Sequence, residues 1–85
     1  MIVVIKNMLI NMDNVYTMTK SYYDWKTYPY NIEFRNIKTE RILCSYASGK
    51  ARDAVVNQIL EGYKTGQKVL IIAEDKDSEI NYVKN

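Results

Sequence analysis

Two stretches of the chain hold the residue types best suited to binding chemistry. The first is Tyr22, Tyr23, Trp25, Tyr28 and Tyr30, five aromatics within nine positions, with Lys26 among them and Lys20 just before. Tyr and Trp bring large, fairly rigid contact area and are enriched where proteins meet. A loop with both Trp25 and Tyr28 is not expected to bury the two in so small a domain. The run therefore has three readings: core residues with a margin over the core edge, a protein-binding or self-association surface, or a stacking platform for single-stranded nucleic acid. The second stretch is Ser48, Gly49, Lys50 and Arg52, at the start of a helix pattern. Free amides with two cations beside them attract phosphate or carboxylate. The stretch is not a P-loop, which needs a longer glycine-framed run and Ser or Thr after the lysine.

Catalytic chemistry has little to work with. The chain contains no histidine and one cysteine, Cys44. The usual general base is missing, and with it every Ser–His or Cys–His nucleophile pair. One cysteine makes neither an intramolecular disulfide nor a thiolate cluster for zinc. Cys44 lies in an apolar strand pattern and reads as a small core residue. Asp13, Asp24, Glu33, Glu40, Asp53 and Glu61 are spread over loops and polar faces. Asp75, Asp77 and Glu79 are spaced like calcium ligands, but the segment lacks the glycine and the final acid of an EF-hand loop. It reads as a solvated turn. The expectation is a protein without enzymatic activity, metal or cofactor.

These residues need elements to position them. The helix is the clearest. On a wheel of Lys50 to Lys64, Ala51, Val55, Val56, Ile59, Leu60 and Tyr63 occupy one half and polar residues the other. Ser48 suits the N-cap, Gly66 the left-handed position past the end, and Lys64 the negative end of the dipole. The helix is expected over about 49–64. Arg52 projects into the apolar half, so either the first turn frays with Arg52 reaching past the core edge, or the cations serve an anion site.

The rest reads as sheet. Ile2 to Ile5 is a β-branched run fit for burial on both faces. Lys6-Asn7 offers a turn, Leu9-Ile10 a short second piece, and Asp13-Asn14 another turn. Val15 to Tyr23 places Tyr16, Met18, Lys20 and Tyr22 on the face suited to a core. Asp24 to Pro29 is a loop. Tyr30 to Arg35 alternates cleanly, with Asn31, Glu33 and Arg35 on the polar side. Asn36 to Thr39 turns the chain into Glu40–Tyr46, where Leu43 suggests cover on both faces. Lys68 to Ala73 is a further β-branched run, and 76–85 either adds an edge strand or frays.

The fold expected is α+β. About five strands form a twisted, mainly antiparallel sheet or partial barrel on one helix, in the order strands, helix, strand. Eighty-five residues make one domain, 1–85. The net charge of +2 is too mild to argue for nucleic acid. No run resembles a signal peptide or a membrane span, so a cytoplasmic protein is expected.

The composition is rich in Asn, Lys, Ile, Tyr and Met, and the segment Leu9-Ile10-Asn11-Met12-Asp13-Asn14-Val15 follows a strand. In both respects the chain resembles small proteins carried by prophages and mobile elements of AT-rich Gram-positive bacteria. The resemblance covers the first half loosely and assigns no functional residue. It implies a host protein or a bacterial defence component as partner. The expected function is that of an interaction protein, homodimeric, that binds a macromolecule through Tyr22, Tyr23, Trp25, Lys26, Tyr28 and Tyr30. The alternatives are a nucleic-acid-associated module using Lys20, Lys26, Lys50 and Arg52, or a binder of small phosphate ligands at Ser48, Gly49, Lys50 and Arg52.

Overall fold

Ile2–Ile5 (β1) and Met8–Asn11 (β2) form a hairpin, closed by Lys6 and Asn7. Lys6 adopts φ 53°, a left-handed value that makes the two-residue turn tight. A single 3-10 turn, Met12–Asn14, follows, with the Asn11 side chain accepting from Asp13 N. Thr17–Tyr22 (β3), Tyr30–Arg35 (β4) and Arg41–Tyr46 (β5) come next, then the helix Gly49–Lys64 (α1). Val69–Ile71 (β6) and Ser78–Val83 (β7) complete the chain. These elements come from a computed structural model that describes residues 1–36 and 40–83. The turn expected at 36–39 lies mostly outside the described residues. At its margins, Asn36 N donates to Glu40 O and Glu40 N to Asn36 Oδ1.

The protein is α+β, with one α-helix among the described residues, in the expected order. It differs from the expectation in that the described residues form two sheets with seven strands, not one sheet of about five, and neither sheet closes into a barrel. One sheet has the order β2-β1-β6, with β1 and β6 parallel; the other is antiparallel, β3-β4-β5-β7. Strand periodicity fixes which residues share a face, not which strand lies alongside. The segment 78–83 is an edge strand on β5.

One core joins the inner faces of both sheets to the helix. Val3, Ile5 and Ile10 come from the first sheet, Ile32, Phe34, Cys44 and Tyr46 from the second, and Val55 and Ile59 from α1. Full burial of each such aliphatic side chain stabilises the fold by about 1.5–3 kcal/mol. The buried stripe of α1 is narrower than the wheel suggests, because Leu60 and Tyr63 are exposed. Its helical start is not frayed: Ser48 Oγ accepts from Ala51 N at 3.1 Å, and the helix begins at Gly49. β3 is also less buried than expected. Met18 packs on the core, but Tyr16 and Tyr22 are exposed, since β3 is an edge strand with nothing beyond it. The polar side of β4 departs from the pattern in the opposite direction, for Asn31 and Glu33 are buried.

Candidate functional site

The burial of Asn31 and Glu33 locates the site. Register places Ser21, Asn31, Ser45 and Glu79 in one row across the outer face of the four-stranded sheet. The segment between β3 and β4 folds over this row. Tyr23 N donates to Pro29 O and Lys26 N to Tyr23 O, which shapes the loop. Lys26 then points inward. Its Nζ donates to Ser45 Oγ at 2.6 Å and to Asn31 Oδ1 at 3.2 Å, and Glu79 Oε1 lies 3.6 Å away. Ser45 Oγ donates to Asn31 Oδ1 at 2.6 Å, and Asn31 Nδ2 donates back to Pro29 O at 2.9 Å. Asn31 and Ser45 are wholly buried and the Lys26 side chain is 7% exposed. A buried amine needs partners of this kind, since desolvation without them is costly.

The next row carries a second anchor. Tyr23 Oη donates to Glu33 Oε1 at 2.5 Å. Arg35 Nε approaches Glu33 Oε2 at 3.3 Å, and Arg41 Nη1 approaches Oε1 at 3.8 Å. Glu33 is thus a carboxylate between two guanidiniums and a phenol. The ring of Trp25 stacks on Tyr23, with centroids 5.9 Å apart and 15° between planes. Trp25 is 79% exposed. An indole in solvent therefore rests on a ring whose hydroxyl is bonded to the sheet, in a loop fastened by Lys26.

The aromatic run divides between two sides of the sheet. Tyr22 and Tyr30 pair edge-to-face on the side that meets the helix, with centroids 5.0 Å apart. The guanidinium of Arg52 lies 5.4 Å from the centre of the Tyr30 ring. Arg52 Nε also donates to Asp53 Oδ1 at 3.0 Å, and Nη1 to Ser21 O at 3.2 Å. Gly49 faces Tyr30, where a Cβ would come within 3.4 Å of the ring. Tyr28 is half-buried in the loop.

Several expected site residues are accordingly occupied elsewhere. Lys26 is not a surface cation; its ammonium is enclosed by Asn31, Ser45 and Glu79, where a phosphate cannot reach it. Arg52 is committed to Asp53, Ser21 and Tyr30, and Ser48 to its cap. The Arg52 hydrogen bond, helped by the Lys20 ammonium at 3.5 Å, holds the Asp53 carboxyl below its usual range. That negative charge sits beside the helix start and opposes an anion there. Lys50 is exposed, while Arg52 is engaged by Asp53, Ser21 and Tyr30. Asp75 caps its own turn, its Oδ1 accepting from Asp77 N, while Glu79 belongs to the Lys26 cluster.

Asn31, Ser45, Glu33 and Glu79 are the residues that sequence reasoning missed. Alternation assigns Asn31 and Glu33 to water and the charged turn does the same for Glu79, whereas Leu43, now found buried beside Ser45, had suggested cover on that face of 40–46; the loop folded over the row supplies the cover. The signal within reach was Lys26 itself, a single amine inside an aromatic loop that follows a polar strand face. A cavity of about 240 Å³ is lined by Ile10, Val15, Phe34 and Ile42 together with Arg35 and Arg41. No group of three or more acidic or cysteine side chains able to hold a metal occurs among the described residues. No helix among them is long and apolar enough to cross a membrane.

The fold and site define a small two-sheet α+β protein that displays a fixed aromatic step on one sheet face. Comparison with known proteins finds no match, whether among family models, curated proteins or solved structures.

Proposed function

We propose that this chain is a small non-enzymatic interaction protein, cytoplasmic and homodimeric, that acts by occupying a protein partner. Trp25 stacked on Tyr23 is its anchor. One observation carries the reading: the most exposed large apolar side chain of the described residues is also held in place, through Tyr23 to Glu33 and through Lys26 to Asn31 and Ser45. Pre-ordering such a side chain lowers the entropy lost on binding. Trp, Tyr and Arg are the types that dominate interface energetics, and Arg35 and Arg41 lie beside this pair. The prophage-like resemblance of the sequence makes a host or defence-system protein the partner class.

The test is capture from a cytoplasmic extract with the parent protein and with Trp25→Ala, followed by titration of any purified partner. A protein held by the parent and released by the variant supports the reading. Equal retention by both overturns it.

A second reading has Trp25 as a stacking platform for single-stranded nucleic acid, with Arg35 and Arg41 near the backbone. A gel shift with single-stranded oligonucleotides at two salt concentrations separates it, because phosphate contacts weaken steeply with salt. The third reading, phosphate at the helix start, has the least support, since Arg52 is engaged by Asp53.

A further inference from the structure

β6 is an edge strand of the three-stranded sheet, and its outward side chains are open: Val69 is 53% exposed and Ile71 72%. Lys68 O accepts from Ile2 N at 2.8 Å, and Ile72 N donates to Val4 O at 2.9 Å. Lys68 and Ile72 therefore turn backbone groups toward β1. By the two-residue period of a strand, Val69 and Ile71 turn theirs toward the open edge. Edge strands normally carry a charge or proline in mid-strand that discourages pairing. β3 has Lys20 and β7 has Glu79 within the strand, whereas β2, the other edge of this sheet, shares with β6 the lack of a charge or proline. Along β6 the charges stand only at the two ends, Lys68 before it and Glu74 after it, each three residues from Ile71. Neither enters an ion pair among the described residues, and both are exposed.

We propose that two copies of this chain pair antiparallel through β6, centred on Ile71. In that register Ile71 meets its own counterpart, Val69 meets Ala73, Leu70 meets Ile72, and Lys68 meets Glu74 twice over, once on each side of the two-fold axis. Shifting the centre to Leu70 keeps the backbone bonds but sets Lys68 against Ile72 and Glu74 against Gly66, so both charge pairs are lost. Complementary charge at the two ends of one strand thus selects both the partner, a second copy, and the register. The interface is isologous, as two-fold dimers are. It joins two three-stranded sheets into one of six. The proposal rests on the homodimer in the reading above and is independent of its Trp25 anchor.

Sedimentation of the full chain over a range of concentrations tests it. The parent is expected to dimerise. Lys68→Glu and Glu74→Lys each place two like-charge pairs across the axis and are expected to weaken the dimer roughly tenfold. The double variant Lys68→Glu/Glu74→Lys restores opposite charges and is expected to regain the parent affinity. Ile71→Lys sets two ammoniums together on the axis and is expected to give a monomer that melts like the parent at concentrations too low for the parent to dimerise. A parent that stays monomeric at high concentration overturns the proposal and the homodimer alike. A dimer that ignores the single exchanges, or that the double exchange fails to restore, overturns the β6 interface. If such a dimer is lost in Trp25→Ala/Tyr28→Ala, the homodimer stands on the aromatic face.

Discussion

The ammonium of Lys26 lies 2.6 Å from the hydroxyl of Ser45, nineteen residues away, in a site from which solvent is nearly excluded. This contact turns a loop that composition alone would leave free into a lid fastened on the sheet. It also fixes the direction in which Trp25 faces solvent. The exposed aromatic step depends on a buried polar cluster, and the two can be perturbed separately.

Lys26→Met removes the donor and leaves Asn31 Oδ1 and Ser45 Oγ with each other alone. Hydrogen bonds from a charged donor contribute more than neutral ones, so the variant is expected to lose about 2 kcal/mol of unfolding free energy. Little of that comes from Glu79, which is 41% exposed and screened by water. Urea titration reads the loss. Faster amide exchange at 23–28, with the other strands unchanged, is the accompanying signature.

Trp25→Ala is expected to do the reverse. The indole is mostly in solvent, so the melting curve should shift by less than about 1 kcal/mol of stability. Affinity for a captured partner should fall by about 2 kcal/mol or more, the usual cost of truncating an anchor. Calorimetry with that partner measures the second effect, and circular dichroism the first. A large loss of stability would mean that the step belongs to the core margin.

The helix gives a paired prediction. Ile59 is wholly buried, and Ile59→Asp puts a carboxylate there without a partner. The expected loss is about 4 kcal/mol or more, enough to unfold so small a domain. Leu60, its neighbour, is exposed. Leu60→Gln should change stability by no more than about 0.5 kcal/mol. Thermal melts of the two variants side by side check the face.

Burial pushes the Cys44 thiol up to about 12 from 9.0, and burial likewise raises the Tyr46 phenol. Both groups are held neutral in the folded state. The unfolded chain ionises first as pH rises, so it binds fewer protons than the native protein between about 9 and 12. Stability is therefore constant below pH 9 with respect to Cys44 and falls through that window. Denaturant midpoints at pH 8 and pH 10.5 measure the slope. Native Cys44 should also resist alkylation at pH 8 and react once the protein unfolds.

Much of the architecture is written locally. The helix between Ser48 and Gly66 follows from an apolar stripe, a cap and a stop, all set by nearest neighbours along the chain. The strand Tyr30–Arg35 follows from strict alternation, and the Lys6-Asn7 and Asp13-Asn14 turns from local side-chain and backbone preferences. What lay beyond such signals was decided by contacts between distant segments. The parallel pairing of β1 with β6 joins the first strand to the one that follows the helix and splits the strands into two sheets, and no periodicity records a partner. Tyr22 and Tyr23 are adjacent in sequence, yet strand geometry sends them to opposite sides, one toward Arg52 and the other toward Glu33. Lys26 reads as a surface cation because lysine usually is one. Asn31, Ser45 and Glu79, brought together by the register of three strands, make its burial affordable, and that placement exists only in the folded chain.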